Sequence, residues 1–93
     1  MPRRPPELRA FRRVLTDHDI TVASDVPTER YTRPAIEWCW SMIVTDPDIS
    51  VQTIRYEQYA HRAGLELYEL KSQRPNKDGV SIAIVVGKPR EES

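Results

Sequence analysis

The sequence predicts a small α+β domain in which three helices accompany a small antiparallel sheet ending in a C-terminal β-hairpin. Three observations predict it. Apolar residues recur at helical spacing in three separate stretches. Residues 80–86, Val-Ser-Ile-Ala-Ile-Val-Val, form a strongly β-prone run, and Asp78-Gly79 just before it is a turn signal. The 93 residues are only 39% apolar and 30% charged, yet the apolar ones cluster in residues 36–44 and 80–86, which argues for a folded core with frayed ends. A chain of this length makes one domain and buries roughly 60–65% of the surface its unfolded form exposes.

Taken in order, residues 1–6 read as a flexible basic arm, because Pro2, Pro5 and Pro6 remove backbone donors. Residues 7–17 carry Leu8, Phe11, Val14 and Leu15 on one side and Arg9, Arg12 and Arg13 on the other, an amphipathic helix begun by Pro6 and Glu7. Residues 20–23 are β-prone and short, an edge strand, followed by a loop around Pro27 over residues 24–31. Thr32 is the expected N-cap of a second helix over residues 33–44, with Pro34 in its first turn. Ile36, Cys39, Trp40 and Ile43 fall at i, i+3, i+4 and i+7, and Trp38 and Met42 widen that face. Asp46-Pro47-Asp48 ends the helix. A third helix runs over residues 50–63, capped by Ser50 and closed by Gly64. Residues 65–71 and 80–86 then flank an exposed turn over residues 72–79. The domain spans residues 7–87, and residues 88–93 are a polar tail.

Fourteen basic and fourteen acidic residues cancel, so a uniformly basic surface is ruled out. Their distribution is uneven. Residues 1–15 hold five arginines against Glu7, whereas residues 16–49 hold seven acids against Arg30 and Arg33. A DNA-binding surface would therefore combine the arm with the 50–77 region and turn the acidic middle away; balanced charge otherwise serves solubility. Cys39, the single cysteine, has no internal disulfide partner and is expected to be a buried, inert thiol in a reducing cytoplasm. No apolar stretch has the length of a membrane span or the form of a signal peptide, so a cytoplasmic location is expected and no membrane partner.

The third helix carries the functional reading. Tyr56, Tyr59, Ala60 and Ala63 share the core arc, while Arg55, Gln58 and Arg62 share another arc of about 60°. A helix with an Arg/Gln face, followed by a basic turn with Arg74 and Lys77, is suited to the major groove and its flanking phosphates. The element order of helix, short strand, helix, helix, strand, turn and strand resembles that of winged helix-turn-helix domains, over residues 7–87. Within it, Ser50-Val51-Gln52-Thr53-Ile54-Arg55-Tyr56 looks like the start of the DNA-contacting helix of MerR-type regulators, which implies DNA contact near Gln52, Thr53, Arg55 and Tyr56. A second register competes. Tyr59-Ala60-His61-Arg62-Ala63-Gly64-Leu65 resembles the helix-turn-helix core of small repressors, which would make residues 66–73 a recognition helix. The winged version is preferred, because residues 80–86 need a strand partner and residues 65–71 are the nearest.

Double-stranded DNA is thus the expected partner, with Gln52, Thr53, Arg55, Gln58 and Arg62 on the helix, Arg74 and Lys77 on the wing, and Arg3 and Arg4 on the arm. Each has a plainer reading: a solvated helix face, a polar turn and a solubilising tail. The rival is a protein-interaction module of the same fold without nucleic-acid contact, favoured by net neutrality and the acidic middle. A third option, a single-strand or RNA binder, would use Tyr56, Tyr59 and Trp38. A palindromic site would need a homodimer, and the sequence shows no dedicated dimerisation element. His18 and His61 lack a second ligand at metal-site spacing, and Asp17-His18-Asp19 lacks a partnered nucleophile. Neither enzyme activity, cofactor nor metal is expected.

Overall fold

The computed structural model describes residues 3–29, 31 and 33–90. Its elements are α1 (Pro6–Asp17), β1 (Thr21–Thr28), β2 (Ile36–Asp46), α2 (Thr53–Arg62), β3 (Glu66–Ser72) and β4 (Val80–Pro89). The four strands form one antiparallel sheet in the order β1-β2-β4-β3.

β2 and β4 are the central pair, and side-chain alternation along them divides the molecule. Trp40, Met42 and Val44 of β2 and Ile82, Ile84 and Val86 of β4 point to one face, where both helices cover them. α1 contributes Leu8, Phe11 and Leu15 to this core, and α2 contributes Tyr56, Tyr59 and Ala60. The intervening residues point to the opposite face, on which no helix lies among the described residues. Both helices end by the same device: Ile20 N–H donates to Leu15 O and Leu65 N–H to Ala60 O, each at 2.9 Å, after a residue of positive φ, Asp19 (62°) or Gly64 (79°).

The fold corrects the expectation of a three-helix, winged-helix-like domain. Among the described residues there are two helices and a four-stranded sheet. Residues 33–44, expected to be helical, are largely β2, because alternation of Trp38, Trp40, Met42 and Val44 toward the core fits a strand paired on both sides. The strand expected over residues 20–23 continues as β1 to Thr28, through the expected loop; Pro27 is tolerated there because β1 is an edge. Thr32, the expected cap, lies outside the described residues. The helix expected over residues 50–63 is present as α2. The hairpin is present too: β3 pairs antiparallel with β4, which overturns the alternative helix over residues 66–73. Its turn is built as the Asp78-Gly79 signal suggests. Asn76 N–H donates to Gly79 O (2.7 Å), Asp78 N–H to Asn76 Oδ1 (2.8 Å), and Gly79 has φ 124°. A Cβ at Gly79 would run into the carbonyl oxygen of Asp46, so this turn packs against the end of β2. Lys88 and Pro89, expected in the tail, finish β4, and residues 91–93 lie outside the described residues.

Candidate interaction surfaces

The expected DNA-contact residues fall into three places. Gln52 is the N-cap residue of α2 without a side-chain cap bond, and Thr53 opens the helix; both are exposed. Gln58 and Arg62 are exposed further along. Arg55 donates to Asp48 Oδ2 at 2.9 Å, which raises the guanidinium pKa. The Asp48 carboxyl is held below its usual value first by the N–H of Ser50 and then by Arg55. Arg62 Nη1 lies 3.5 Å from His18 Nε2, and its guanidinium carbon is 6.0 Å from the centre of the Tyr59 ring, on which His18 stacks at 4.5 Å. Tyr56 from the MerR-like segment is fully buried. Its hydroxyl donates to Asp46 Oδ2 (2.7 Å), and burial followed by that carboxylate pushes its pKa up. The element before α2 is a strand, so no helix-turn-helix precedes this segment.

Arg74 and Lys77 are exposed in the β3–β4 turn, at the sheet end where β2 finishes and α2 starts. Arg3 is exposed, but Arg4 is not a free arm residue. Its Nε donates to Asp25 Oδ1 (2.8 Å), while Arg12 pairs with Oδ2 and Trp40 Nε1 donates to Oδ1 at 3.3 Å. Burial and then the neighbouring Arg4 lower the Arg12 pKa.

Two buried carboxylates, Asp25 and Asp46, thus come from the acidic middle expected to turn away from DNA. Asp46 also accepts from Asp48 N–H at 2.9 Å, tying the β2–α2 loop down. Between α2 and β3 lies a cleft of about 230 Å³ lined by Thr53, Glu57, Leu67, Tyr68, Glu69 and Leu70. It is smaller than typical small-molecule sites, and the acidic Glu57 on its α2 side opposes phosphate there.

The helix-free face of the sheet went unrecognised in the sequence. Strand register arranges it in rows. Ser24 of β1, Ile43 of β2, Ala83 of β4 and Lys71 of β3 lie side by side. The next row is Val26, Ser41, Val85 and Glu69, of which Val85 is already buried within the chain. Val26 is 55% exposed and Ile43 45%, large values for such side chains in a folded domain. The positions of β1 and β4 on this face, and those of β2 from Cys39 to Thr45, carry no charge, although 30% of the chain is charged. At one end Tyr68 covers the β4 backbone. A Cβ on Gly87 would meet Tyr68 Cε2 at 2.7 Å and Trp38 O at 2.6 Å. Tyr31 stacks on Tyr68 at 5.9 Å, and Cys39 is buried among these groups, its thiol pKa raised by burial. Cys39 thus occupies the opposite face from Trp40, not a shared helical face.

No protein-family model, curated protein or solved structure matches the chain. Among the described residues no helix is long and apolar enough to cross a membrane, and no group of three His, Cys, Asp or Glu side chains is placed to hold a metal ion.

Proposed function

We propose that this chain is a protein-interaction module that engages its partner through the helix-free face of the sheet. The observation that carries this reading is the uncharged strip of β1, β2 and β4 with Val26 and Ile43 exposed on it. Such a face is not needed for solubility, and two large apolar side chains left exposed on an uncharged strip suit a contact site. The sheet edges are less suited to contact. β1 has a bulge between Val22 and Ser24 and carries Pro27, while β3 has a bulge between Leu67 and Glu69 and carries Lys71. These are devices that discourage strand addition, which leaves the face. The test compares immobilised wild-type protein with Ile43→Lys and Gln58→Ala in capture from the source cells, bound proteins being identified by mass spectrometry. A specific protein retained by wild type and Gln58→Ala and lost with Ile43→Lys is expected. Identical capture by all three would sink the reading.

Duplex DNA remains a second reading, favoured by Arg74 and Lys77 exposed at the sheet end where β2 gives way to the loop before α2, with Gln58 and Arg62 exposed along the helix. Binding would then fall steeply with salt, and Arg74→Ala or Lys77→Ala would each reduce the salt slope by about one unit. No affinity for a short duplex at low salt would end it.

A further inference from the structure

We infer that the partner on the helix-free face is a second copy of this chain, stacked face to face about a two-fold axis that crosses the strands between the row of Ile43 and the row of Ser41. This inference rests on the interaction-module reading above and adds the identity of the occupant. A two-fold interface sets one patch against itself, so the patch must be self-complementary under the rotation. The rows meet that condition.

Rotation about this axis keeps each strand over its own copy and exchanges the two rows. Ile43 then faces Ser41 of the other copy, and Val26 faces Ser24, so each exposed large side chain meets a small one. At β3 the same rotation sets Lys71 over Glu69 of the other copy. Lys71 is 73% exposed at its side chain and already lies 3.3 Å from Glu69 within its own chain, so each lysine would bridge two glutamates. Large would meet small and cation would meet anion with no change of strand register. Rotation about an axis along the strands would instead bring Val26 over Glu69, which is why the crossing axis is preferred.

The size of the face sets the strength. Four strands about 4.8 Å apart and about seven residues long at about 3.3 Å each give roughly 450 Å² per copy, or about 900 Å² for the pair. That lies below the standard range for stable complexes, so the association should be weak and concentration-dependent.

Sedimentation velocity of the full chain, from about 1 μM to about 1 mM, reads this directly. The expected result is a weight-average mass rising toward twice the monomer. Ile43→Lys should remain monomeric throughout with an unchanged unfolding midpoint, because Ile43 has little to lose within one chain. Lys71→Glu and Glu69→Lys should each weaken association about tenfold, since each creates two like-charge contacts. An equimolar mixture of these two variants should recover it, because each mixed pair restores opposite charges. A wild type that stays monomeric overturns the inference, as does association indifferent to Ile43→Lys; no recovery on mixing overturns the crossing axis. A monomer that still captures a different protein in an Ile43-dependent way would overturn only the second copy and leave the interaction module standing. A monomer with no such capture would remove both.

Discussion

The two faces of one sheet obey different rules. On the helix side, Met42, Val44, Ile82, Ile84 and Val86 have no exposed surface, and the polar groups there are satisfied: Asp25 by Arg4, Arg12 and Trp40, Asp46 by Tyr56 and the Asp48 N–H. On the other side small and β-branched residues line the strands; Cys39 and Val85 are covered there by the chain itself, while Val26 and Ile43 keep about half of their surface exposed. Folding explains the first face completely. It does not explain the exposure of Val26 and Ile43 on the second, and a side chain that folding does not need is where binding is to be sought.

The largest effect that tests this contrast is a matched pair of truncations on one strand. Trp40→Ala removes a buried ring and its hydrogen bond to Asp25, and should lower stability by about 3–5 kcal/mol. Ile43→Ala, three residues away on the open face, should change stability by less than about 0.5 kcal/mol. Chemical denaturation of both variants measures the difference, and similar losses would mean that the open face is packed in a single chain.

The same contrast explains what could be read from the sequence. α2 was legible because Tyr56, Tyr59, Ala60 and Ala63 all lie on one arc with Arg55, Gln58 and Arg62 elsewhere, so burial and pattern agree. The hairpin was legible because Asp78-Gly79 and the run after it are local signals. β2 was not. Its core set is Trp38, Trp40, Met42 and Val44, but Cys39 and Ile43 are apolar on the other face, and with Ile36 and Trp40 they mimic a helical period. The misreading has a physical source: apolar residues on both sides of a strand erase the two-residue alternation. Ile43, which erased it, is also central to the proposed contact. The buried carboxylates were illegible for another reason, since Asp25 meets Arg4 and Asp46 meets Tyr56 only after the chain has folded.

A second measurement locates the boundary of the open face. Gly87→Ala places a methyl group against the Trp38 carbonyl and the Tyr68 ring, and should destabilise by about 1–3 kcal/mol, unlike its neighbours on that face. Displacing Tyr68 should also expose Cys39, so a thiol reagent should label the variant several-fold faster than wild type. A labelling rate that does not change would mean that Tyr68 is not what covers the cysteine.

On the helix side, Tyr56→Phe keeps the ring and removes one donor from buried Asp46. The expected loss is about 1–2 kcal/mol, from a carboxylate oxygen left without its partner. Thr45→Val, next along β2 but facing outward, should stay within about 0.5 kcal/mol of wild type. Urea midpoints that move equally for both would break the contrast at this end of the strand.

The smallest expected effect concerns the tie between α1 and β4. Lys88 Nζ donates to Glu7 Oε2 at 2.9 Å, and that hydrogen bond, with the N–H of Glu7 itself, holds the Glu7 carboxyl below its usual value. A carboxyl whose folded pKa lies below the unfolded one, about 4.3, favours the folded state once it is ionised. The contribution is therefore complete above the unfolded value and is lost as the pH falls through the folded one. Glu7 is only partly covered by its surroundings, so the amount should be a few tenths of a kcal/mol, as for other surface pairs. Glu7→Gln should lower stability slightly at pH 7 and progressively less as the pH falls through the folded value, flattening the acid limb of the stability profile; Lys88→Met should flatten it in the same sense. Profiles parallel to wild type in both variants would show that this pair does not help to hold α1 on the sheet, and that the covered face depends on its apolar contacts alone.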